Sequence, residues 1–126
     1  VTISYLDTSA AMKLIVQEDD TEFMRRWRPT ARAVSSWLLH AELHCAAGRR
    51  PGVVSLDAVN IVLGTTHLID VTRGDLLAAG THAPLRSNDA VHLATALRVG
   101  ADEMVTYDAE LARAAQSAGL RVLGIG

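Results

Sequence analysis

Twice in this chain a strand-like run ends in an aspartate and passes straight into a helical pattern. Near the N-terminus Val1-Thr2-Ile3-Ser4-Tyr5-Leu6 is followed by Asp7, Thr8 and Ser9, and then by Ala10-Ala11-Met12-Lys13-Leu14-Ile15-Val16. Near the C-terminus Glu103-Met104-Val105-Thr106-Tyr107 leads to Asp108 and a helix over about 109–118. Between them lie strand-like stretches at 31–35 and 67–71, and a last one follows at 121–123. Helical patterns fall at about 9–17, 20–28, 37–47, 55–64, 73–79 and 88–99. Strands that alternate with helices predict a parallel sheet covered on both faces. In such a sheet the carboxyl ends of the strands open into the ligand crevice. Asp7 and Asp108 are therefore expected at one edge.

Local signals mark the helix ends. Thr8 or Ser9 is expected to cap the first helix, Ser35 or Ser36 the helix at 37–47, and Ser87 the helix at 88–99. Pro29, Gly48, Gly64, Gly100 and Gly119 are expected stops. There is no internal repeat, no low-complexity tract and no linker, so residues 1–126 are expected to form one domain. Hydrophobic residues make up 49% of the sequence, which supports a packed core, and only 4% is aromatic, so that core must be built mostly from Ala, Leu and Val. No apolar run approaches the ~18–20 residues of a membrane span. The N-terminal strand pattern lacks a basic leader, and a signal peptide is not expected. One cysteine, Cys45, excludes an internal disulfide and a Cys-rich zinc site, and it fits a reducing cytoplasm.

The net charge of −2 does not announce a nucleic-acid binder. The cations are nevertheless clustered, with Arg25, Arg26, Arg28 and Arg32 in one segment and Arg49-Arg50 in another. Arg86 lies close to Asp89 in sequence. These arginines are candidates to grip phosphate, and a solvated turn or an arginine-rich coding bias accounts for them equally well.

Two further acids stand out. On the helix at 37–47 the apolar positions Leu38, Ala41, Cys45 and Ala46 form a stripe, and Glu42 falls inside it. A lone buried carboxylate needs a partner, a proton or a metal; an arginine partner would satisfy it too. Asp89 sits in the first turn of the helix Ser87-Asn88-Asp89-Ala90-Val91-His92-Leu93-Ala94-Thr95-Ala96-Leu97, where the helix dipole favours an anion. Singly, Asp7, Asp89 and Asp108 read as ordinary caps and first-turn acids. Together with Glu42 they make a set that repels itself unless a cation sits among them, and hard cations such as Mg²⁺ or Mn²⁺ take such oxygen ligands.

Other constellations carry less. His40 and His44 share a helix face, but Glu42 lies about 200° round from His40 at ~100° per residue, unlike a zinc-protease helix. A zinc deaminase needs paired downstream cysteines. His92, three residues after Asp89, is near enough to touch the site, but it is expected at the surface or as a cap. Phe23, Trp27, Trp37 and Leu38 either pack as core or line a groove for a partner helix.

The stretches Tyr5-Leu6-Asp7-Thr8-Ser9-Ala10, Ala41-Glu42-Leu43, Leu85 through Leu97, and Val105-Thr106-Tyr107-Asp108-Ala109-Glu110-Leu111-Ala112 resemble, in order, the PIN-domain ribonucleases. Among these the chain is most similar to the VapC toxins of bacterial toxin–antitoxin pairs. The resemblance implies a PIN-like α/β fold, a mostly parallel five-stranded sheet flanked by helices on both faces. It implies that Asp7, Glu42, Asp89 and Asp108 are the catalytic, metal-binding acids, with Ser9 and Thr106 as supporting hydroxyls and Glu110 as a peripheral acid. It implies Mg²⁺- or Mn²⁺-dependent cleavage of RNA, often structured RNA such as tRNA. The implied partners are a small VapB-type antitoxin and a second copy of the chain, in the cytoplasm and off the membrane. Asn88 departs from the apolar or aromatic residue common at its position. Two rivals stand beside this reading. One is an aspartyl-phosphate phosphotransferase using Asp7 as nucleophile, though Ser9 stands where its second Asp belongs. The other is a PIN fold that binds RNA or protein without cutting.

Overall fold

The structure is a computed structural model that describes residues 1–16 and 32–124. The helix expected at about 20–28, with Phe23, Met24, Trp27, Arg25, Arg26 and Arg28, lies outside the described residues, and Arg32 of the same cluster is exposed at the start of a strand.

Strands β1 (Ile3–Leu6), β2 (Arg32–Ser36), β3 (His67–Ile69), β4 (Glu103–Thr106) and β5 (Arg121–Gly124) form one sheet in the order β3-β2-β1-β4-β5. Every neighbouring pair is parallel. The chain leaves β1 toward β2 on one side and returns to β4 on the other. The adjacent carboxyl ends of β1 and β4 are thus the switch point where an open parallel sheet forms its crevice. Leu6 pairs with Val105, which sets Asp7 beside Thr106.

The three central strands, β2, β1 and β4, are buried on both faces, as crossover helices require. Successive residues alternate between faces. Tyr5, Val34 and Met104 join a cluster with Leu93, Ala96, Leu111 and Ala115. These come from α5 (Ser87–Arg98) and α6 (Ala109–Ser117). Leu6, Ala33 and Val105 pack instead against Ala10 of α1 (Thr8–Ile15). Ala11 of α1, Leu39, Leu43 and Ala47 of α2 (Trp37–Arg49), Val54, and Val59 and Val62 of α3 (Leu56–Gly64) form another apolar cluster. The short helix α4 (Arg73–Ala79) opens on a capping box between Thr72 and Asp75, visible in hindsight as Thr72-Arg73-Gly74-Asp75.

Four sequence expectations change here. Asp7, rather than Thr8 or Ser9, caps α1, accepting from the Ala10 amide at 2.9 Å. That leaves the two hydroxyls free for other partners. Arg86, with no side-chain cap bond, precedes α5, and Ser87 is its first residue rather than its cap. Helix α2 runs through Gly48 to Arg49. Pro51 sets its end, because a residue before proline is pushed out of the helical region, and Arg50 has φ −134° and ψ 60°. Finally, α2 buries Leu39, Leu43 and Ala47, while Ala41 and Cys45 of the expected stripe are exposed. The core face is turned by one residue, since the face that meets the neighbouring helices is set by tertiary packing and both stripes are apolar.

Candidate active site

Asp7 ends β1 and is 2% exposed. Burial pushes its carboxyl above the usual range against the pull of its hydrogen bonds. Those bonds come from Thr106 Oγ1 at 2.6 Å, Ser9 Oγ at 2.8 and 2.9 Å, and the Ala10 amide. Ser9 accepts in turn from the Tyr107 amide at 2.8 Å. Thr106 Oγ1 also accepts from the Asp108 amide at 3.0 Å. The two hydroxyls predicted as supporting residues therefore stitch the ends of β1 and β4 together around Asp7. Asp108 caps α6, its Oδ1 accepting from the Leu111 amide at 2.8 Å. Both strand-end aspartates are caps and also stand at the shared edge, so the cap explanation and the cluster explanation hold together.

Glu42 projects from α2 toward α5. Its Oε1 accepts from Thr8 Oγ1 at 2.7 Å and from His92 Nε2 at 2.7 Å. Burial pushes this carboxyl up, but the hydrogen bonds from His92, Thr8 and Asn88 outweigh burial and hold it below the usual range. Asp89 is half-buried and takes no hydrogen bond among the described residues. Burial raises its carboxyl first, and the charges of Asp108, Asp7 and Glu42 raise it further.

Glu42, Asp89 and Asp108 line one open cavity of about 440 Å³ with Arg86, Ser87 and Asn88. The structure thus brings Glu42, Asp89, Asp108 and Arg86 into one cavity, while Asp7 lies buried outside its lining, near enough for its charge to act on Asp89. Arg49 and Arg50 are exposed and line a different groove, of about 450 Å³, with apolar residues that include Met12, Leu38, Ala46 and Val54. Glu42, Thr8 and Asn88 border that groove as well. Glu110 is exposed and faces a separate surface groove with Arg113 and Ser117. Trp37 is exposed rather than core, stacked loosely on His40.

Among the described residues no three His, Cys, Asp or Glu side chains are already drawn tight enough to enclose an ion. The donors nonetheless suit a hard cation. They are carboxylate oxygens without thiolates, and Asp89 carries repulsion from three neighbouring carboxylates that a cation would relieve. Mg²⁺ retains several waters and needs only one or two carboxylates directly, so an open arrangement fits it. His40 and His44 stack on each other, and His44 Nδ1 donates to the His40 carbonyl, away from the acids.

The family model for the PIN domain matches residues 4–117. The chain belongs to the PIN-domain family. It is 38% identical over 124 residues to Ribonuclease VapC46 of Mycobacterium tuberculosis, covering 94% of this chain and 95% of that one. Among solved structures it superposes on VapBC2 from Rickettsia felis with a TM-score of 0.72 at 16% identity, covering 97% and 98% of the two chains. VapC20 of Mycobacterium tuberculosis, described as a Sarcin-Ricin loop cleaving toxin, gives 0.71 at 16% identity, with 93% and 95% covered. The five-stranded α/β architecture of this PIN domain follows the fold that the resemblance implied, with a sheet that is parallel throughout.

His92 corrects an expectation within the PIN domain. It is 1% exposed, not a surface or capping residue, and bridges Tyr5 and Glu42. The signal was present: Asp89, His92, Leu93 and Ala96 share a helix face at i, i+3, i+4 and i+7. Tyr5, two residues before Asp7, points to the same side of its strand.

Proposed function

We propose that this chain is a Mg²⁺- or Mn²⁺-dependent endoribonuclease toxin, acting as one PIN-like unit over residues 1–126 and restrained by a VapB-type antitoxin. The observation that carries it is the gathering of Asp7, Glu42, Asp89 and Asp108 at the β1–β4 edge, with Asp89 raised by the other three. Membership beside proteins named ribonucleases supports the substrate class.

In this reading Asp89 and Asp108, with Glu42 across the cavity, would hold the cation, and the charge of Asp7 would add to their field. When bound, the cation polarises the scissile phosphoryl group and activates a water. Arg86, at the cavity rim, aligns the RNA phosphate, and Arg49 and Arg50 hold a more distant stretch of its backbone. Water attacks phosphorus in line, the P–O3′ bond breaks, and the products carry a 5′-phosphate and a 3′-hydroxyl. Ser9 and Thr106 keep Asp7 fixed while this happens.

The surface suits an assembly. Exposed Trp37, Leu56, Ile61, Leu76 and Leu77 are apolar side chains of the kind that an antitoxin or a second copy covers. No helix among the described residues is long and apolar enough to cross a membrane, and we place the toxin in the cytoplasm with its RNA.

The test is cleavage of a structured RNA by the purified chain with Mn²⁺, with EDTA, and with Asp7→Asn. Asn caps a helix as well as Asp, so the fold should persist. Activity should need the metal and fall in the variant by more than the ~10–100-fold typical of outer-shell partners. Undiminished cutting by Asp7→Asn would falsify the assignment. Asp7 is too enclosed for the nucleophile of a phosphotransferase, being 2% exposed with both oxygens engaged.

A further inference from the structure

Behind Glu42 runs a file of hydrogen-bonded side chains that lies outside the acid cavity. Tyr5 is fully buried and His92 is 1% exposed. The Tyr5 hydroxyl stands 2.7 Å from His92 Nδ1, and the two rings meet edge-on with centroids 5.6 Å apart. On the opposite side of the imidazole, Nε2 stands 2.7 Å from Glu42 Oε1. That oxygen takes a second donor, Thr8 Oγ1, also at 2.7 Å. Glu42 Oε2 meets only the Asn88 amide, at 3.4 Å, among the described residues.

The pattern fixes which atom donates. A carboxylate oxygen can only accept, so His92 Nε2 carries a proton. The Tyr5 hydroxyl has one proton to give, and its hydrogen-bond partner is His92 Nδ1 at 2.7 Å. The Tyr5 proton is therefore directed at Nδ1, which accepts it. The hydroxyl of Tyr5 selects the tautomer, and the tautomer supplies the donor to Glu42.

We propose that Tyr5 and His92 are positioning residues that pin Glu42 through Oε1, so that Oε2 is the oxygen presented to the cavity shared with Asp89 and Asp108. The consequence for cleavage rests on the nuclease reading above; the pinning itself does not. Without the pin, the Glu42 side chain regains its rotamers and swings between Thr8 and Asn88, and the cation loses a placed ligand.

Nitrogen-15 spectra of the histidines in the metal-free full chain test the pin directly. His92 should show a protonated Nε2 and an unprotonated, hydrogen-bonded Nδ1, and Tyr5→Phe should shift Nδ1 while the ring packing is kept. A protonated Nδ1 in the wild type, or an unmoved spectrum in Tyr5→Phe, overturns the proposal. A second measurement reads Mn²⁺ affinity by calorimetry beside cleavage kinetics. Tyr5→Phe and His92→Leu should weaken Mn²⁺ binding and lower kcat by about 10–100-fold, with KM for RNA unchanged. His92→Gln, which keeps an amide donor near the Nε2 position, should recover most of the loss. Folded variants that bind Mn²⁺ and cut RNA like the wild type also overturn it. A wild-type chain that never cuts RNA sinks the nuclease reading instead, and the histidine spectrum still decides the pin.

Discussion

At Asp89, burial and then the charges of Asp108, Asp7 and Glu42 raise the carboxyl and outweigh His92, which pulls the other way. The folded protein holds this proton more tightly than the unfolded chain does. Stability is therefore lost as pH rises from the ordinary Asp value of about 3.9 through the raised folded value, and the deficit persists above it. Asp89→Asn removes the charge at nearly constant shape. In metal-free protein at neutral pH the variant should melt about 2 °C higher than the wild type, a modest gain because the site is half open to solvent. The difference should vanish in acid. Adding Mn²⁺ should reverse the order, since a cation that binds only the folded wild type stabilises it by mass action. Paired melting curves with and without Mn²⁺ check both signs. Asp7 and Asp108 serve two purposes at once, which is why neither could be assigned from its place in the sequence. A helix cap and a cluster acid ask for the same residue at the same spot.

Among the helices, α2 shows how much one residue of rotation matters. Its two apolar stripes lie side by side, Leu39-Leu43-Ala47 against the core and Leu38-Ala41-Cys45-Ala46 toward the groove. The buried stripe holds α2 against Ala11, Val54 and Val59. The other stripe flanks Glu42 and leaves it at the border between groove and acid cavity. Leu43→Ala should cost about 2–5 kcal/mol through the cavity it leaves, measured by urea unfolding. Cys45→Ser, at an exposed position, should stay within about 0.5 kcal/mol of the wild type. Equal costs for the two would place the core face wrongly. The orientation also explains how Glu42 acquired its donors, because turning Leu43 inward points Glu42 across to α1 and α5, where Thr8 and His92 wait.

Across the whole molecule, the acid edge is held from the far end of α5 as well as from the sheet. Arg98 in the last turn of α5 grips Asp75 of α4 with Nε at 2.7 Å and a second nitrogen at 3.0 Å, and also donates to the Asp70 carbonyl. Asp75 is 2% exposed. Its burial raises the carboxyl, but the Arg98 and Thr72 bonds outweigh burial and hold it below the usual range. A depressed folded value contributes stability in full above the unfolded Asp range and loses it as pH falls through the folded value. Arg98→Gln should therefore lower the urea midpoint at pH 7, and the gap to the wild type should close in acid once Asp75 is protonated in both. A gap of constant size across pH would mean that Arg98 acts through packing alone. Because α5 also carries Asp89 and His92, loosening its far end should blur the near one.

The alternation of strands and helices, hence the parallel sheet, was legible along the chain, as was the place of Asp7 and Asp108 at strand ends, because period-two and helical patterns are local and survive without knowledge of neighbours. The ordered motifs carried the family. Packing in three dimensions settled how elements meet: that β4 lies against β1 so that Thr106 reaches Asp7, which stripe of α2 faces the core, and that a histidine expected at the surface is buried between Tyr5 and Glu42. Those are questions of which surface excludes water against which other surface. Capping partners are local, but the partners that bury His92 and tie Thr106 to Asp7 lie tens of positions away, and a helix-face pattern says which side turns inward without saying what it meets.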